Sequence, residues 1–503
     1  MFDVVVAGAG PNGLMIACEL ALAGVRPLVL ERLTGPTDEQ RANGMVGQVV
    51  RMLDRRGLYA RISGSDAPPQ PAPGFVFGAF PLRLAELADN PLYVLPVPQR
   101  VVERVLGERA AELGVEIRRG SEVTGFDQDD DGVRVTLADG EIVRARWLVG
   151  ADGGRSVVRK LAGIDFPGVT SDDSVSRTAH VSVPSSAVDP ATGGLVIAGY
   201  GIVPPFQHTR TDRGLIVWAT LPGRDPMIST VEWPGSLEFD APMSLDELLA
   251  SAARVVGAPV VAGLPTGDGP HLMRRLTGGN TRLADRYRAG RVLLIGDAAH
   301  VHSAIGGPGL NLGLQDAVNL AWKLAAVVAG RMPQTLLDTY ESERRPVAQR
   351  VTMSTQAQSV LIGPGSDITA LRVLFGELLA VPDNTRRIAA LMAGSDVRYD
   401  LGPGPDLVGR WAPDLVLDTG NGPVRLAELT VTARPLLLDF TGTLAAAAAP
   451  WSDRVDVVSA KGDSEATALL LRPDCYVAWA STSDRPDVDG LRAALQRWFG
   501  PAG

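Results

Sequence analysis

The start of the chain leaves little choice of fold. An apolar run, Phe2 to Ala7, meets the turn Gly8-Ala9-Gly10-Pro11-Asn12-Gly13. A helical stretch, Leu14 to Ala23, ends at Gly24, and a second apolar strand, Pro27 to Leu30, closes on Glu31. This order is a βαβ unit carrying a dinucleotide fingerprint. Its glycines permit a tight turn and close backbone approach, and the helix start beyond them offers free N–H groups to a pyrophosphate. A carboxylate at Glu31 accepts hydrogen bonds from a ribose 2′-hydroxyl and repels a 2′-phosphate, so the resident dinucleotide is FAD or NAD rather than NADP.

A distant segment separates FAD from NAD. Strand Val292 to Ile295 runs into Gly296-Asp297, and Gly306-Gly307-Pro308-Gly309-Leu310-Asn311 then opens a helix reaching Val328. FAD is long enough to need both ends gripped. An Asp at a strand end suits ribityl hydroxyls, and a helix N-terminus places positive dipole where reduced flavin gathers negative charge. Together the two segments point to FAD.

At 503 residues the chain exceeds one compact domain. With 45% hydrophobic and 21% charged residues it has ordinary globular composition, and a net charge of −9 without a basic cluster excludes a nucleic-acid footprint. Cys18 and Cys475 stand alone, giving no disulfide framework or cysteine-based metal cluster. No basic leader precedes the first strand, and no apolar run reaches the ~18 residues of a membrane span. The expectation is a cytoplasmic protein with no membrane partner. His300 and His302 lack the further ligands of a metal site.

The pattern predicts an α/β fold in three units. An FAD-binding Rossmann-like domain takes 1–170 and 286–400, with 70–100 contributing to the substrate side. A mixed β-sheet substrate domain is inserted at 171–285, and a C-terminal unit occupies 401–503 after the Gly402–Pro405 segment. The inserted part carries alternating strands at Leu195 to Ala198 and Leu215 to Ala219, and a capping box, Ser244 with Glu247. Phe75, Phe77 and Phe80, with the 195–220 strands, are expected to wall an apolar ligand cavity. A hairpin is expected with arms Val133 to Leu137 and Glu141 to Val143, and a separate strand at Trp147 to Val149.

Three motifs in order carry a resemblance: Gly8 to Gly13 with Glu31 and Arg32; Val149 to Lys160, which contains Asp152-Gly153-Gly154-Arg155; and Gly296-Asp297-Ala298-Ala299-His300 through Gly313 to Ala317. They resemble the single-component FAD aromatic monooxygenases, most closely the bacterial aromatic polyketide hydroxylases of the angucycline-type and rifampicin-modifying branch. The resemblance implies a thioredoxin-like C-terminal domain, here without a redox cysteine pair. It implies that Gly8, Gly10, Pro11 and Gly13 hold the pyrophosphate and that Glu31 and Arg32 flank the adenosine ribose. Arg41 and Gln99 would reach the phosphate and ribityl region, and Val123 the adenine. Gly296 and Asp297 would meet the ribityl chain, with Pro308, Gly309, Leu310 and Asn311 at the isoalloxazine. Asp152 and Arg155 would serve both FAD and a transient NADPH or NADH.

The implied reaction is hydroxylation of a polycyclic aromatic polyketide by O2 through a C4a-hydroperoxyflavin. Baeyer–Villiger oxygenation on the same fold is an alternative, and a non-catalytic flavin-binding partner protein is another. A homodimer is a possible assembly. Ala304 and Pro308 depart from the family pattern, which has proline and glutamine there, and this bears on the backbone beside the flavin.

Overall fold

The computed structural model describes residues 1–36, 42–220, 225–235, 239–267, 269, 271–420 and 422–502. Its first sheet is assembled around the opening strand. Phe2–Ala7 pairs in parallel with Pro27–Glu31 on one side and with Ile142–Gly150 on the other; Val292–Leu294 extends the parallel set beyond Gly150, and Glu116–Arg119 extends it beyond Glu31. Val4, Val5 and Val6 are fully buried, as expected of a strand covered on both faces by helices. Helices Pro11–Leu22 and Pro308–Val328 pack against each other, and this contact brings the two glycine segments together. One expectation needs correcting here. The second hairpin arm and the Trp147 strand are one continuous strand, Ile142–Gly150, whose first half pairs with Val133–Leu137 and whose second half lies in the parallel sheet.

A six-stranded sheet forms the inserted unit, in the order His208–Thr211, Gly214–Ala219, Met227–Glu232, Gly168–His180, Met273–Leu283, His300–Val301. Neighbouring strands are antiparallel throughout, and Pro205 adds a parallel bridge to Trp218. The last strand, His300–Val301, belongs to the Gly296–Asn311 segment, so the sheet is stitched to the first unit there. Ile216 and Trp218 face the helix Leu245–Val256 and form a core with Leu248, Ala252 and Val255. Ser244 caps that helix by accepting from the Glu247 N–H at 3.2 Å. Leu195–Ile197 is not part of this sheet; it pairs with Gly201–Val203, bridges to Val188 through Leu195 and packs into the core on the helix side.

The helices Asp338–Ile362, Ser366–Leu379 and Pro382–Ala393 lead to the C-terminal unit. There Leu436–Asp439 pairs in parallel with Asp456–Ser459 and antiparallel with Ala468–Leu471, which forms a hairpin with Val477–Ser481 before the final helix Val488–Phe499. One parallel pair, one antiparallel hairpin and a closing helix make a thioredoxin-like sheet. Among the described residues no helix is long and apolar enough to cross a membrane.

Candidate functional site

In the first turn the glycines are sterically required at two positions. Gly8 has φ +105°, and a Cβ there would stand 2.5 Å from the Ala151 carbonyl oxygen; a Cβ on Gly13 would overlap the carbonyl oxygen of Gly8. Gly10 is different, since nothing lies within 4 Å of where its Cβ would be. Gly10 is the N-cap of helix Pro11–Leu22, no side chain caps it, and Pro11 brings no N–H of its own. The remaining first-turn N–H groups are therefore free for a ligand. Glu31 pins this turn: Oε2 accepts from the Ala9 N–H at 2.7 Å and Oε1 from the Leu33 N–H at 2.9 Å. Each oxygen keeps a lone pair for a ribose hydroxyl. Arg32 is exposed beside it.

The distal segment repeats this design. Gly306 and Gly307 are left-handed, with φ +76° and +67°, and the helix begins at Pro308 with Gly307 as an N-cap unassisted by any side chain. Proline again removes one N–H, and Gly309 and Leu310 occupy the open first turn. Asn311 is a buried brace. Its Oδ1 accepts from the Val46 N–H at 3.0 Å and its Nδ2 donates to the Gly307 carbonyl at 2.6 Å. Gly296 has φ +59° and Asp297 is exposed beside it. Asn12 joins the two ends, because its amide fills the space that a Cβ on Gly296 or on Gly313 would take, and its Oδ1 is buried without a partner.

The second motif closes over the same turn. Asp152 Oδ2 accepts from the N–H groups of Val157 at 2.7 Å and Val158 at 3.1 Å, and its Oδ1 accepts from the Ser156 hydroxyl, so the carboxylate fastens the start of helix Val157–Leu161. Arg155 is exposed on this turn. Sequence reasoning passed over Arg159. It is buried, stands 3.8 Å from the centroid of the Phe166 ring, and donates to the carbonyls of Ala298 at 2.9 Å and Gly154 at 3.1 Å. It thereby bolts the second motif to the Gly296 turn, and burial lowers its pKa. Gln99 begins helix Gln99–Glu112 and donates to Glu103 at 2.8 Å, while Val123 is buried at the start of its strand. Arg41 lies outside the described residues.

Behind the distal turn sits a buried charge network that joins His300 and Asp316 of the third motif to Arg344, which lies outside every motif. Asp316 Oδ2 accepts from the Gly296 N–H at 3.3 Å and lies 2.6 Å from His300 Nε2, while Oδ1 accepts from Arg344 Nε at 2.7 Å. Burial pushes the Asp316 carboxyl up, but Arg344 and His300 outweigh it and hold the group below the usual range. Among the described residues no group of three or more His, Cys, Asp or Glu is placed to hold a metal.

In front of the turn lies an apolar face. Ala79, Leu215 and Ile362 form a cluster on which Val217, Val231, Trp233 and Ile305 pack. Leu215 and Val217 alternate with the core-facing Ile216 and Trp218, so the apolar strand Gly214–Ala219 serves the helix with one face and Ile305, just ahead of the Gly306 turn, with the other. His208 is directly opposite Val217 and so shares its face; its Nδ1 is buried without a partner, and burial lowers its pKa. The expected wall of phenylalanines is placed differently. Phe77 and Phe80 turn to Phe375, at ring distances of 5.9 and 5.4 Å, and only the hairpin tip Ala79 reaches the apolar face.

Comparison with known proteins agrees with this geometry. Residues 1–355 match the FAD binding domain family and residues 405–502 the aromatic-ring hydroxylase C-terminal family. The chain is 42% identical over 521 residues to a 12-dehydrotetracycline 5-monooxygenase/anhydrotetracycline 6-monooxygenase of Streptomyces rimosus, covering 99% of each chain. It is 41% identical to a rifampicin monooxygenase of Streptomyces venezuelae, covering 100% of this chain and 99% of that one. The solved structure of OxyS, an anhydrotetracycline hydroxylase from Streptomyces rimosus, superposes with a TM-score of 0.86 at 40% identity, each chain covered completely. An FAD binding domain match over residues 1–355, an aromatic-ring hydroxylase C-terminal match over 405–502 and monooxygenase relatives above 40% identity along the whole chain place this chain in the family of FAD-dependent aromatic-ring monooxygenases.

Proposed function

We propose that this monooxygenase hydroxylates a ring of a polycyclic aromatic polyketide, with NAD(P)H as reductant. The observation that carries the reading is the apolar face of Leu215, Val217, Val231 and Trp233 against Ile305, on the same loop that opens the second uncapped helix. The tetracycline and rifampicin monooxygenases among its relatives support a polycyclic substrate.

Gly8, Gly10, Pro11 and Gly13 would hold the FAD pyrophosphate against the first helix start, with Glu31 and Arg32 at the adenosine ribose. Arg41 and Gln99 would serve the phosphate and ribityl region, Val123 the adenine, and Gly296 with Asp297 the ribityl chain. Pro308, Gly309, Leu310 and Asn311 would place the second helix start at the isoalloxazine, where free N–H groups favour negative charge on the reduced ring. Exposed Arg155, on the turn that Asp152 fastens, is suited to meet a visiting anionic nucleotide. When bound, FAD supplies the redox chemistry: NAD(P)H and a proton are consumed with O2, one oxygen atom enters the ring as hydroxyl and the other leaves as water. The chain's own task is to exclude water and hold the ring, which the apolar face does. No side-chain triad is needed.

The test is product analysis under ¹⁸O2 with NADPH. One labelled hydroxyl on an intact ring is expected, whereas a labelled ester or lactone would establish ring-inserting Baeyer–Villiger chemistry. Anaerobic NADPH should bleach the flavin. A flavin that stays yellow with polycyclic ligands present would point to a passive flavin carrier.

A further inference from the structure

Gln358 lies in helix Asp338–Ile362 and is 2% exposed. Its Oε1 accepts from the Gly78 N–H at 3.3 Å, at the tip of the Phe77–Phe80 hairpin. That bond fixes which way the amide points, since an N–H needs an acceptor and the other prong is then Nε2. Nε2 stands 3.2 Å from where a Cβ on Gly306 would be, in the left-handed turn that opens the second helix. Among the described residues no acceptor takes a hydrogen bond from Nε2. One helical turn on, Ile362 joins Ala79 and Leu215 in the cluster on which Ile305 packs. Gln358 therefore presents a donor without a protein partner beside Gly306, next to an apolar wall that has nothing to accept it.

Water can satisfy such an N–H until a ligand displaces it, and a ligand that offers no acceptor there leaves the donor unpaired and binds more weakly. Apolar ligand sites commonly take their specificity from one such prong, because the surrounding wall sets shape but not orientation. Polycyclic polyketides carry ring carbonyls and phenols, which are acceptors.

We infer that Gln358 is a specificity-determining residue, its Nε2–H reading an oxygen substituent of the substrate and so setting which ring edge faces the flavin. The inference rests on the substrate class proposed above. The competing role is a strut that only holds the hairpin tip through Oε1.

The FAD-loaded full chain and its Gln358→Glu and Gln358→Met variants separate the two roles. The probes are anhydrotetracycline and 1,8-dihydroxyanthraquinone, with Kd read from the flavin absorbance change and coupling from the share of NADPH lost as hydrogen peroxide. Gln358→Glu keeps the acceptor for Gly78 but loses the donor. At pH 8 both variants should bind about tenfold more weakly and release more peroxide. As pH falls toward 6, Gln358→Glu should recover, because a carboxyl in this buried position takes up a proton early and regains a donor, whereas Gln358→Met should not. Wild-type affinity for Gln358→Glu at pH 8 would leave only the strut. Equal loss in both variants at every pH would also overturn the inference. If the wild-type chain binds neither probe, the proposed substrate class falls and this inference falls with it.

Discussion

Gly10 and Gly13 stand three positions apart in one motif, yet adding a methyl group to each should fail in different ways. At Gly13 the methyl overlaps the Gly8 carbonyl, and Gly8 cannot retreat because its N–H is held by the Leu30 carbonyl at 2.7 Å and it abuts Ala151. Gly13→Ala should lower the thermal midpoint of the apoprotein and leave purified material with less than about a tenth of the wild-type flavin. At Gly10 the space is open and φ is −72°, so Gly10→Ala should leave the apoprotein midpoint unchanged while weakening FAD in a titration, since the methyl occupies the approach to the helix start. Equal apoprotein midpoints for both variants would remove the steric argument. These glycines are legible in sequence because their reasons are local: a turn, a helix start, a strand before them. Asn12 and Gln358 are not, because each acts on a loop far away in the chain, and only the packing of helix Pro11–Leu22 on helix Pro308–Val328, or the return of helix Asp338–Ile362, supplies the partner; Asp316 acts on the nearby Gly296 turn, but the Arg344 that balances it also comes from that returning helix.

Elements beside the apolar face are joined mostly by arginines that donate to backbone carbonyls. Arg372, on helix Ser366–Leu379, donates to the carbonyls of Gly78, Leu361 at 2.8 Å and Ala79 at 3.2 Å, and its guanidinium lies 4.0 Å from the Phe80 ring centroid. Arg210, on the outer strand of the six-stranded sheet, donates to the Gly363 carbonyl at 2.9 Å, between the two helices, and to the Thr369 hydroxyl at 3.2 Å in the first turn of the same helix. One helix with no buried residue is thus kept beside the apolar face by two arginines. Arg372→Met should cost about 2 kcal/mol, because three carbonyls lose a charged donor, and it should loosen the Ala79 tip. The checks are a lower urea midpoint with unchanged slope and faster limited proteolysis near residue 79; an unaltered proteolysis pattern would show that the hairpin stands without this helix. The sequence did not disclose these helices or the strand His300–Val301. That strand has two residues and exists only because Leu283 and Arg282 lie opposite it, and the helix Asp338–Ile362 runs through Pro346, which reads as a breaker in sequence.

Across the whole molecule, the C-terminal unit is fixed to the FAD-binding domain by ions that are out of water. Arg56 is bound to Glu19 at 2.7 Å and donates to the carbonyls of Thr430 and Pro473. Arg472 and Lys323 share Glu343, at 2.7 and 2.8 Å, with Asp474 also on Arg472 and the Trp322 and Trp498 rings each 5.1 Å from its guanidinium. This explains why the unit persists without a redox cysteine pair: Cys475 is buried in the turn that delivers Asp474, and the hairpin acts as a plug. The strand order was readable from alternating apolar runs, but the plug was not, since Glu343 and Arg472 lie in different units. Burial raises the Glu343 carboxyl, yet Arg472 and Lys323 outweigh it and hold its pKa down to about 2 from 4.5. A depressed folded-state pKa means stability that is fully present above pH 4.5 and lost as pH falls toward 2, roughly 3 kcal/mol in all. Glu343→Gln leaves two buried cations facing Asp474 alone and should cost about 3 to 5 kcal/mol at pH 6. Lys323 is lowered by burial to about 8 while Glu343 holds it up, so Glu343→Gln lowers it further and the comparison belongs at pH 6 and below, where Lys323 is most fully protonated in both chains. Denaturant midpoints of wild type and variant should differ by a constant gap from pH 6 to 5 and converge below pH 4.5; a gap that persists into that acid range would mean that the shape of Glu343, not its charge, seats the C-terminal unit.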